Sequence, residues 1–449
     1  MPMSQPHPSP RSLLRILGLA FGLAVVVGNT IGAGILRTPG DIAGLLPATW
    51  AFLGIWIVGG VYALLGANAL SELGTMLPRS GGQFVYARHT FGDYAGFLVG
   101  WMDWVSTAAS ASAIAIVIGE SVAMVMGWPQ RLAALIAMAV VAVFTVLLMR
   151  GTRQGDLTQR ITSFAKALAL LLLVAVCFAF AGRAQAPAAV ASTPATTTGF
   201  AALLLAAQSV IYTYDGWDGA IYFSEELDDP GRQIPQSMFY GLLSVAVIYL
   251  LINIAFVVAL PVKSLAGSPL AAATVAEAIF GARGDILVRL VVIVSLPSAV
   301  NACLLMASRV LYAVSRDGLG LPVATRVNVG GTPTVALALT GVVSLGFLAS
   351  GTFGSIIAIA AFFFVADYAL SFIAVFVLRS REPQASRPYR AIGHPWTTGF
   401  VLLGSLAFLA SAVVADRRNS LFALGIVVVS YPVFRLSRRP GTTSAPARP

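Results

Sequence analysis

The sequence GNTIGAG, residues 28–34, lies in the middle of the first long apolar segment of the chain. It is unfavourable for an uninterrupted helix, because each glycine costs about 1 kcal/mol relative to alanine in a helix interior. A second polar sequence, YTYDGWDG at residues 212–219, lies inside the sixth apolar segment and contains two carboxylates and two glycines. The sequence therefore predicts that two helices are broken within an apolar part of the protein.

The composition of the whole chain indicates a protein embedded in lipid. Of its 449 residues, 58% are hydrophobic and 10% are charged, whereas a soluble domain has about 25% charged residues. A helix needs about 20 apolar residues to cross a bilayer. Segments of about that length lie near residues 15–37, 45–72, 93–126, 132–149, 159–182, 199–226, 237–260, 284–315, 333–350, 353–379, 397–415 and 420–436. We therefore expect an all-α polytopic membrane protein with about 12 transmembrane helices, and a lid or interfacial helix near 271–280.

The position of the two breaks indicates a function. Free backbone N–H and C=O groups cannot face lipid, so broken helices occur where the backbone lines an enclosed or watery cavity. The breaks correspond to each other if segments one to five and six to ten are two repeats, which is typical of a transporter binding site. Helix N-termini at a break attract a carboxylate, and freed carbonyl groups accept hydrogen bonds from an ammonium group. An amino acid carries both groups.

Glycine in a membrane helix has a second interpretation, because small residues let helices pack closely. We favour packing for Gly59, Gly60 and Gly66 in the second segment. For the breaks we favour function, because packing requires neither Asp215 nor Asp218, and ionisable residues at membrane depth are costly and usually functional.

Lys166 lies inside the fifth apolar segment with no acidic residue near it in the sequence. One interpretation is a lysine that extends its ammonium group to the membrane surface. We favour another, in which the ammonium group donates to carbonyl groups freed by the first break. It then occupies the position of a sodium ion and makes sodium unnecessary.

The net charge of +10 does not indicate a nucleic-acid partner, because the basic residues lie at the ends of apolar segments. Most of the 28 Lys and Arg residues fall in alternate loops, which predicts that both termini are cytoplasmic. The three histidines, His7, His89 and His394, have no ligand-like spacing. We expect no metal, no cofactor and no disulfide framework from Cys177 and Cys303.

Five motifs occur in order along the chain. They are VGNTIGAGI at 27–35, ALSELGTMLPRSGG at 69–82, YDGW at 214–217 followed by EELDDPGRQIP at 225–235, SRVLYAVSRDG at 308–318, and RPYR at 387–390. Together they resemble the amino acid-polyamine-organocation superfamily, especially its L-type amino-acid transporter branch and the related bacterial permeases. The resemblance covers nearly the whole chain.

The resemblance implies a LeuT-type fold with a 5+5 inverted repeat, discontinuous helices 1 and 6, and alternating access. The implied organisation is a disordered tail at 1–14, repeats at 15–182 and 199–379, accessory helices at 397–436, and a tail at 437–449.

The resemblance also implies roles for individual residues. The substrate carboxylate is expected at Thr30, Ala33 and Gly34, and the ammonium group at the carbonyls of Tyr212 and Asp215. Trp217 matches an aromatic residue that gates the site, and Lys166 matches the lysine of sodium-independent members. The complete set expected at the substrate is Thr30, Ile31, Gly32, Ala33, Gly34, Tyr212, Asp215, Gly216, Trp217, Ser106, Thr107, Cys303 and Phe363.

Two departures from the family pattern change the expectations. Eukaryotic L-type members pair with a glycoprotein through a cysteine between spans three and four, but residues 126–130 contain none, so we expect no disulfide-linked heavy chain. Asp218 replaces the small residue that usually follows the aromatic. It is a candidate for proton coupling, or a partner for a cationic substrate. Glu225 and Glu226 are expected to pair with arginines at helix ends. We favour a structural role for these pairs over a role in gating.

The sequence thus predicts sodium-independent transport of L-amino acids across the cytoplasmic membrane, with exchange of small or neutral ones. Proton-coupled uptake and transport of cationic amino acids or polyamines are the alternatives. A membrane enzyme or sensor is a remote alternative, because the spans contain no catalytic constellation and the soluble segments are short.

Overall fold

The structure is a computed structural model that describes residues 17–150, 152–184, 199–268, 270–350 and 353–437. Nearly all of these residues are helical. The α-helices are α1 Leu19–Thr30, α2 Gly34–Leu45, α3 Thr49–Met76, α4 Gln83–Phe91, α5 Asp93–Val125, α6 Ala133–Leu148, α7 Thr152–Phe180, α8 Gly199–Tyr214, α9 Pro230–Ala259, α10 Val262–Leu265, α11 Ala271–Phe280, α12 Ala282–Ser295, α13 Pro297–Arg316, α14 Thr334–Ser350, α15 Phe353–Arg381, α16 Trp396–Ala415 and α17 Arg417–Ser437. The predicted tail 1–14 and nearly all of the tail 437–449 lie outside the described residues.

The predicted all-α membrane fold is confirmed, since each predicted apolar segment forms helix. In the described ranges, 10 helical segments are long and apolar enough to cross a membrane. Two further segments are shorter: α8 has 16 residues and α14 has 17. α8 is short because it is the first half of the broken sixth span. The short helix predicted near 271–280 is α11.

α5 lies at the centre of the bundle and packs against α6, α13, α14 and α15. Its buried face contains many small residues, among them Ala108, Ala109 and Ser112, which allow neighbouring helices to approach closely. α6, α7, α16 and α17 instead expose Leu, Val and Phe side chains. The outer surface is therefore suited to lipid, and the polar sequences are enclosed by the inner helices.

The first span is longer than predicted. It continues to Leu45 instead of residue 37, because Pro39 and Gly40 lie within α2 and do not form a loop. Gly40 is needed for close packing: a Cβ atom there would lie 2.2 Å from the carbonyl oxygen of Ser268. The end of α2 thus rests on the chain between α10 and α11.

Other boundaries also differ from the sequence prediction, and the second span, for example, is Thr49–Met76 instead of 45–72. The sixth span is not helical throughout 199–226, because α8 ends at Tyr214 and only a short 3₁₀ helix, Gly219–Phe223, follows. The seventh begins at Pro230 instead of residue 237, since Asp229 caps it by accepting from the Arg232 N–H. The eighth is divided at Pro297, where the ring removes a helical hydrogen bond. α4 was not predicted.

Ion pairs hold one end of the bundle together. Arg309 and Glu226 form two hydrogen bonds of 3.0 and 3.2 Å and are both fully buried. Arg316 pairs with Glu225 at 2.7 and 2.8 Å. Asp317 accepts from Arg79 and Arg88. The predicted pairing of both glutamates with arginines is therefore present.

The glycines of the second span lie against the broken sixth span. A Cβ atom at Gly59 would lie 2.2 Å from Val210 Cγ1, and one at Gly66 would lie 3.1 Å from the Trp217 ring. At Gly54 of the same helix, nothing lies within 4 Å of such an atom. Gly59 and Gly66 are thus packing residues that let α3 support the break.

Alanine at Gly59 should therefore destabilise the protein, whereas alanine at Gly54 should not. Overpacking costs about 1–3 kcal/mol, while Gly→Ala in an open helical position gains up to about 1 kcal/mol. We expect Gly59→Ala to lower the apparent melting temperature in detergent and Gly54→Ala to leave it equal or higher. Equal melting temperatures for the two variants would contradict the packing role.

Candidate binding site at the two helix breaks

The first break separates α1 from α2. α1 ends at Thr30, α2 begins at Gly34, and residues 31–33 are not helical. The Gly32 N–H donates to the Thr30 carbonyl at 2.8 Å, so the Gly28 carbonyl loses its helical donor. At the other side of the break, the first N–H groups of α2 have no partner within the helix. The break therefore presents free acceptors and free donors close together.

Lys166 of α7 occupies the acceptor side of this break. Its side chain is fully buried, so its ammonium group is not at the membrane surface. The Nζ atom donates to the carbonyl oxygens of Gly28 and Ile31. These are carbonyl groups that the broken α1 leaves free, as the favoured interpretation of Lys166 requires.

The second break follows α8 and includes Asp215, Gly216, Trp217 and Asp218. Gly216 has φ = +97°, a conformation that favours glycine. A Cβ atom there would lie 2.3 Å from Nδ2 of Asn29. Both the backbone angle and the space available thus require glycine at this position.

Side chains connect the two breaks. Asn29 Nδ2 donates to the Gly216 carbonyl at 3.3 Å. The Tyr249 hydroxyl of α9 contacts the carbonyl oxygens of Thr30 at 2.7 Å and Thr213 at 3.1 Å. Backbone groups freed in both spans are therefore satisfied by side chains of neighbouring helices, as apolar surroundings demand.

A small cavity lies between the breaks. Its volume is about 40 Å³, which is room for only a few water molecules, so side chains or half-helices must move to admit a larger molecule. The lining residues are Asn29, Thr30, Gly32, Ala33, Gly34, Thr107, Ser110, Ile114, Tyr212, Thr213, Asp215, Gly216, Asp218, Tyr222, Cys303, Met306 and Phe364.

Most of the residues predicted for the substrate site line this cavity. They are Thr30, Gly32, Ala33, Gly34, Thr107, Tyr212, Asp215, Gly216 and Cys303, together with the proposed proton-coupling residue Asp218. The structure thus brings residues from α1, α2, α5, α8 and α13 to one place.

Four predicted residues do not line the cavity. Ile31 is buried in the core, and Ser106 Oγ donates to the backbone carbonyl of Asp103. Trp217 stacks on Tyr368 with ring centroids 4.9 Å apart. Phe363 is buried elsewhere, and its neighbour Phe364 lines the cavity, since adjacent residues on a helix point about 100° apart.

Several lining residues were not predicted, although helical periodicity indicates some of them. Ser110 and Ile114 lie on the same face of α5 as Thr107, three and seven positions later. Met306 follows Cys303 by one turn of α13 in the same way. Tyr222 has no such signal, because the chain between Asp218 and Tyr222 is a 3₁₀ helix whose course is not evident from the sequence.

The cavity has no Lys, Arg or His in its lining, and its two ionisable acids are Asp215 and Asp218. An anionic group would therefore be bound by N–H groups at the start of α2 and by hydroxyl groups. Thr30 Oγ1 is available for this, because within the described residues it is buried without a hydrogen-bond partner. A cationic group would be bound by carbonyl and carboxylate oxygens of the second break. In the described ranges, no group of three or more His, Cys, Asp or Glu side chains is placed to hold a metal ion.

Comparison with known proteins identifies the family of the chain. The family model described as amino acid permease matches residues 12–431, which is nearly the whole chain. The chain belongs to the amino acid permease family. It is therefore a multi-pass membrane transport protein and not an enzyme, and the predicted superfamily is confirmed.

Similar proteins are found in bacteria and mammals. The serine/threonine exchanger SteT of Bacillus subtilis is 26% identical over 434 residues, which cover 95% of this chain and 98% of that protein. The b(0,+)-type amino acid transporter 1 of Mus musculus is 28% identical over 90% of this chain and 84% of its own. The human large neutral amino acids transporter small subunit 2 is 27% identical to this chain, and the match covers 84% of this chain and 72% of that protein.

Thiol labelling tests whether Cys303 lines a substrate site in this permease. The sequence contains two cysteines, and Cys177 does not line the cavity, so Cys177→Ala leaves Cys303 as the single thiol. We expect a small methanethiosulfonate reagent to modify this variant, and a transported amino acid to slow the modification several-fold. A Cys177→Ala/Cys303→Ala variant is the unlabelled control. Labelling at the same rate with and without every amino acid tested would place the substrate elsewhere.

Proposed function

We propose that this permease exchanges L-amino acids across the cytoplasmic membrane without sodium, by alternating access to the cavity between its helix breaks. The observation that supports this most directly is the pair of contacts from Lys166 Nζ to the carbonyl oxygens of Gly28 and Ile31. The exchange reaction is supported by similarity to a serine/threonine exchanger over nearly the full length of both chains.

In the proposed binding mode, the substrate backbone spans the two breaks. Its carboxylate accepts hydrogen bonds from the N–H groups of Ala33 and Gly34 and from the unpartnered hydroxyl of Thr30. Its ammonium group donates to the carbonyl oxygens of Tyr212 and Asp215. Both charged groups are then bound without a buried arginine or lysine in the lining.

The remaining walls would contact the substrate side chain. They consist of small or apolar side chains from α5, α13 and α15, including Thr107, Ser110, Cys303, Met306 and Phe364. This lining suits small or neutral amino acids, which is the substrate class we propose. Cationic amino acids are a second candidate, because Asp215 and Asp218 carry acid groups without a basic partner in the cavity.

We propose that Lys166 replaces a sodium ion. A sodium ion at the first break would bind the carbonyl oxygens that Lys166 now contacts, because hard cations prefer oxygen ligands. A covalently attached ammonium group satisfies the same oxygens permanently. Its charge therefore does not enter or leave with the substrate.

Alternating access requires the two ends of the bundle to open in turn. We assign the end that carries the Arg309–Glu226 and Arg316–Glu225 pairs to the cytoplasm, in accordance with the Lys/Arg bias of the loops, and we place both termini there. These pairs would then separate when the cavity opens inward.

The proposed organisation of the chain is two repeats, at 15–182 and 199–379. The similarity to a bacterial exchanger supports a location in the cytoplasmic membrane. We expect no disulfide-linked partner.

Liposomes containing the purified permease test this proposal. We expect uptake of radiolabelled L-serine or another neutral amino acid into vesicles preloaded with amino acid, and little uptake into empty ones. Replacing sodium by choline should leave the rate unchanged. A requirement for sodium would refute the role of Lys166, and absence of amino-acid uptake under every condition would refute the proposed function.

The two lysines of the chain provide a matched pair of variants. Lys166→Ala leaves buried carbonyl oxygens without a donor, which costs about 1–3 kcal/mol per unsatisfied group. We expect exchange to fall to the level of protein-free liposomes, and sodium not to restore it. Lys263→Ala removes an exposed lysine and should retain exchange. Full activity of Lys166→Ala in sodium-free buffer would show that the fixed ammonium group is not required.

A further inference from the structure

Four aspartates lie near the cavity, although they are not placed to share one metal ion. Asp103 comes from α5, Asp215 and Asp218 from the second break, and Asp367 from α15. The Tyr222 hydroxyl contacts both Asp103 and Asp218. Ser371, one turn after Asp367 in α15, donates to Gln83, which in turn donates to Asp218. Asp215 and Asp218 line the cavity, whereas Asp103 and Asp367 are not part of its lining and are 1% exposed. We refer to Asp103, Asp218 and Asp367 as the carboxyl cluster.

The hydrogen-bond partners of these aspartates are neutral groups. Gln83 Nε2 donates to Asp218 at 3.0 Å, and Tyr368 donates to Asp215 at 2.6 Å. The other titratable groups that act on the four aspartates come from α3, α4, α8, the 3₁₀ helix, α13 and α15; they are Tyr62, Tyr86, Tyr212, Tyr222, Cys303 and Tyr368. None of them carries a positive charge.

Other buried acids of the permease are compensated differently. Glu72 pairs with Arg379 and Arg387, and Glu226 pairs with Arg309. In the described part of the chain, no salt bridge reaches the carboxyl cluster, and Lys166 contacts carbonyl oxygens instead. Several negative charges close together without a cation are unfavourable in an apolar interior. Some of these carboxyl groups must therefore carry protons.

Hydrogen counting supports the same conclusion. The Tyr222 hydroxyl lies 3.0 Å from Asp103 Oδ1 and 3.3 Å from Asp218 Oδ2. It has one proton, so it can donate fully to only one of these oxygens, and a proton on the other acid would let that acid donate to the Tyr222 oxygen. Asp103 Oδ2 and both oxygens of Asp367 are buried with no hydrogen-bond partner in the described ranges. An ionised carboxylate that is buried without a donor is more costly than a neutral carboxylic acid, so these oxygens favour the protonated form.

We propose that Asp103, Asp218 and Asp367 form a proton-binding site that releases a proton when the ammonium group of an amino acid enters the cavity. This rests on the binding mode proposed above, which places the ammonium group at the second break. In the step, the O–H bond of a carboxylic acid in the cluster breaks, and the proton leaves through Asp218 to water in the cavity. The ammonium group then supplies the positive charge that the proton supplied before.

Asp103 and Asp367, which do not line the cavity, would then take part in binding by holding the proton, and the direction of coupling follows. The proton and the ammonium group of the amino acid compete to neutralise the same carboxyl groups. Low pH therefore weakens amino-acid binding. By linkage, the substrate affinity should fall by up to about tenfold for each unit of pH decrease where a single proton competes.

Calorimetry in two buffers tests the proposal. L-serine, or the neutral amino acid exchanged fastest in liposomes, is titrated into detergent-solubilised permease at one near-neutral pH in phosphate and in Tris, whose ionisation enthalpies differ. For the natural sequence we expect the apparent binding enthalpy to differ between the buffers, which measures proton release. Equal enthalpies with measurable binding would overturn the proposal and leave amino-acid transport intact. Failure to bind or exchange any amino acid would instead refute the proposed function.

Isosteric variants locate the proton. Asp367→Asn should reduce the buffer difference, and Asp103→Asn/Asp367→Asn should abolish it and flatten the pH dependence of affinity, with binding retained because neither residue lines the cavity. Asp285→Asn, which removes a carboxylate paired with Arg289 outside the cluster, should behave as the natural sequence. Undiminished proton release by Asp367→Asn would overturn the proposal that Asp367 belongs to the proton-binding site. If the double variant does not fold, this single variant is the test.

Discussion

The structure depends on one constraint, that a peptide group in the interior of a membrane protein must have a hydrogen-bond partner. Breaking two helices at membrane depth frees several N–H and C=O groups. Each of them destabilises the folded protein by an amount on the order of several kcal/mol if it is buried without a hydrogen-bond partner. Lys166 donates to the carbonyl groups of Gly28 and Ile31, and the single proton of the Tyr249 hydroxyl is shared between the carbonyl groups of Thr30 and Thr213. In the part of the chain that the structure describes, no side chain accepts a hydrogen bond from the N–H groups at the start of α2. The backbone groups that the protein itself satisfies can thus be told apart from those that we propose to bind the substrate.

The sequence predicts the membrane fold well, because lipid imposes a simple rule on length and polarity. It also predicts both breaks, since glycine and aspartate are unfavourable at that depth. It predicts the site less completely. The resemblance indicated the helices that line the cavity, but it selected Phe363 where Phe364 is the lining residue, because neither of two adjacent phenylalanines violates an apolar pattern. Tyr222 and Asp367 could not be assigned from the sequence, since their positions depend on how the 3₁₀ helix and α15 meet.

Charge is distributed in two ways in the bundle. At one end, carboxylates meet arginines in geometries such as that of Glu226 and Arg309, where both groups are buried and two hydrogen bonds form. Beside the cavity, carboxyl groups meet tyrosines and an amide. Ion pairs of the first kind are costly to separate, so they favour one closed arrangement. Groups of the second kind are the ones that we propose to release a proton when an ammonium group enters the cavity.

The contacts of Tyr249 have a mechanical consequence. One hydroxyl group on α9 lies within hydrogen-bond distance of carbonyls in both broken spans, at Thr30 and at Thr213. If either half-helix tilts alone, the hydroxyl loses one acceptor, at a net cost on the order of 1 kcal/mol. If both tilt together, it loses neither. A single phenol oxygen thereby favours concerted movement of α1 and α8.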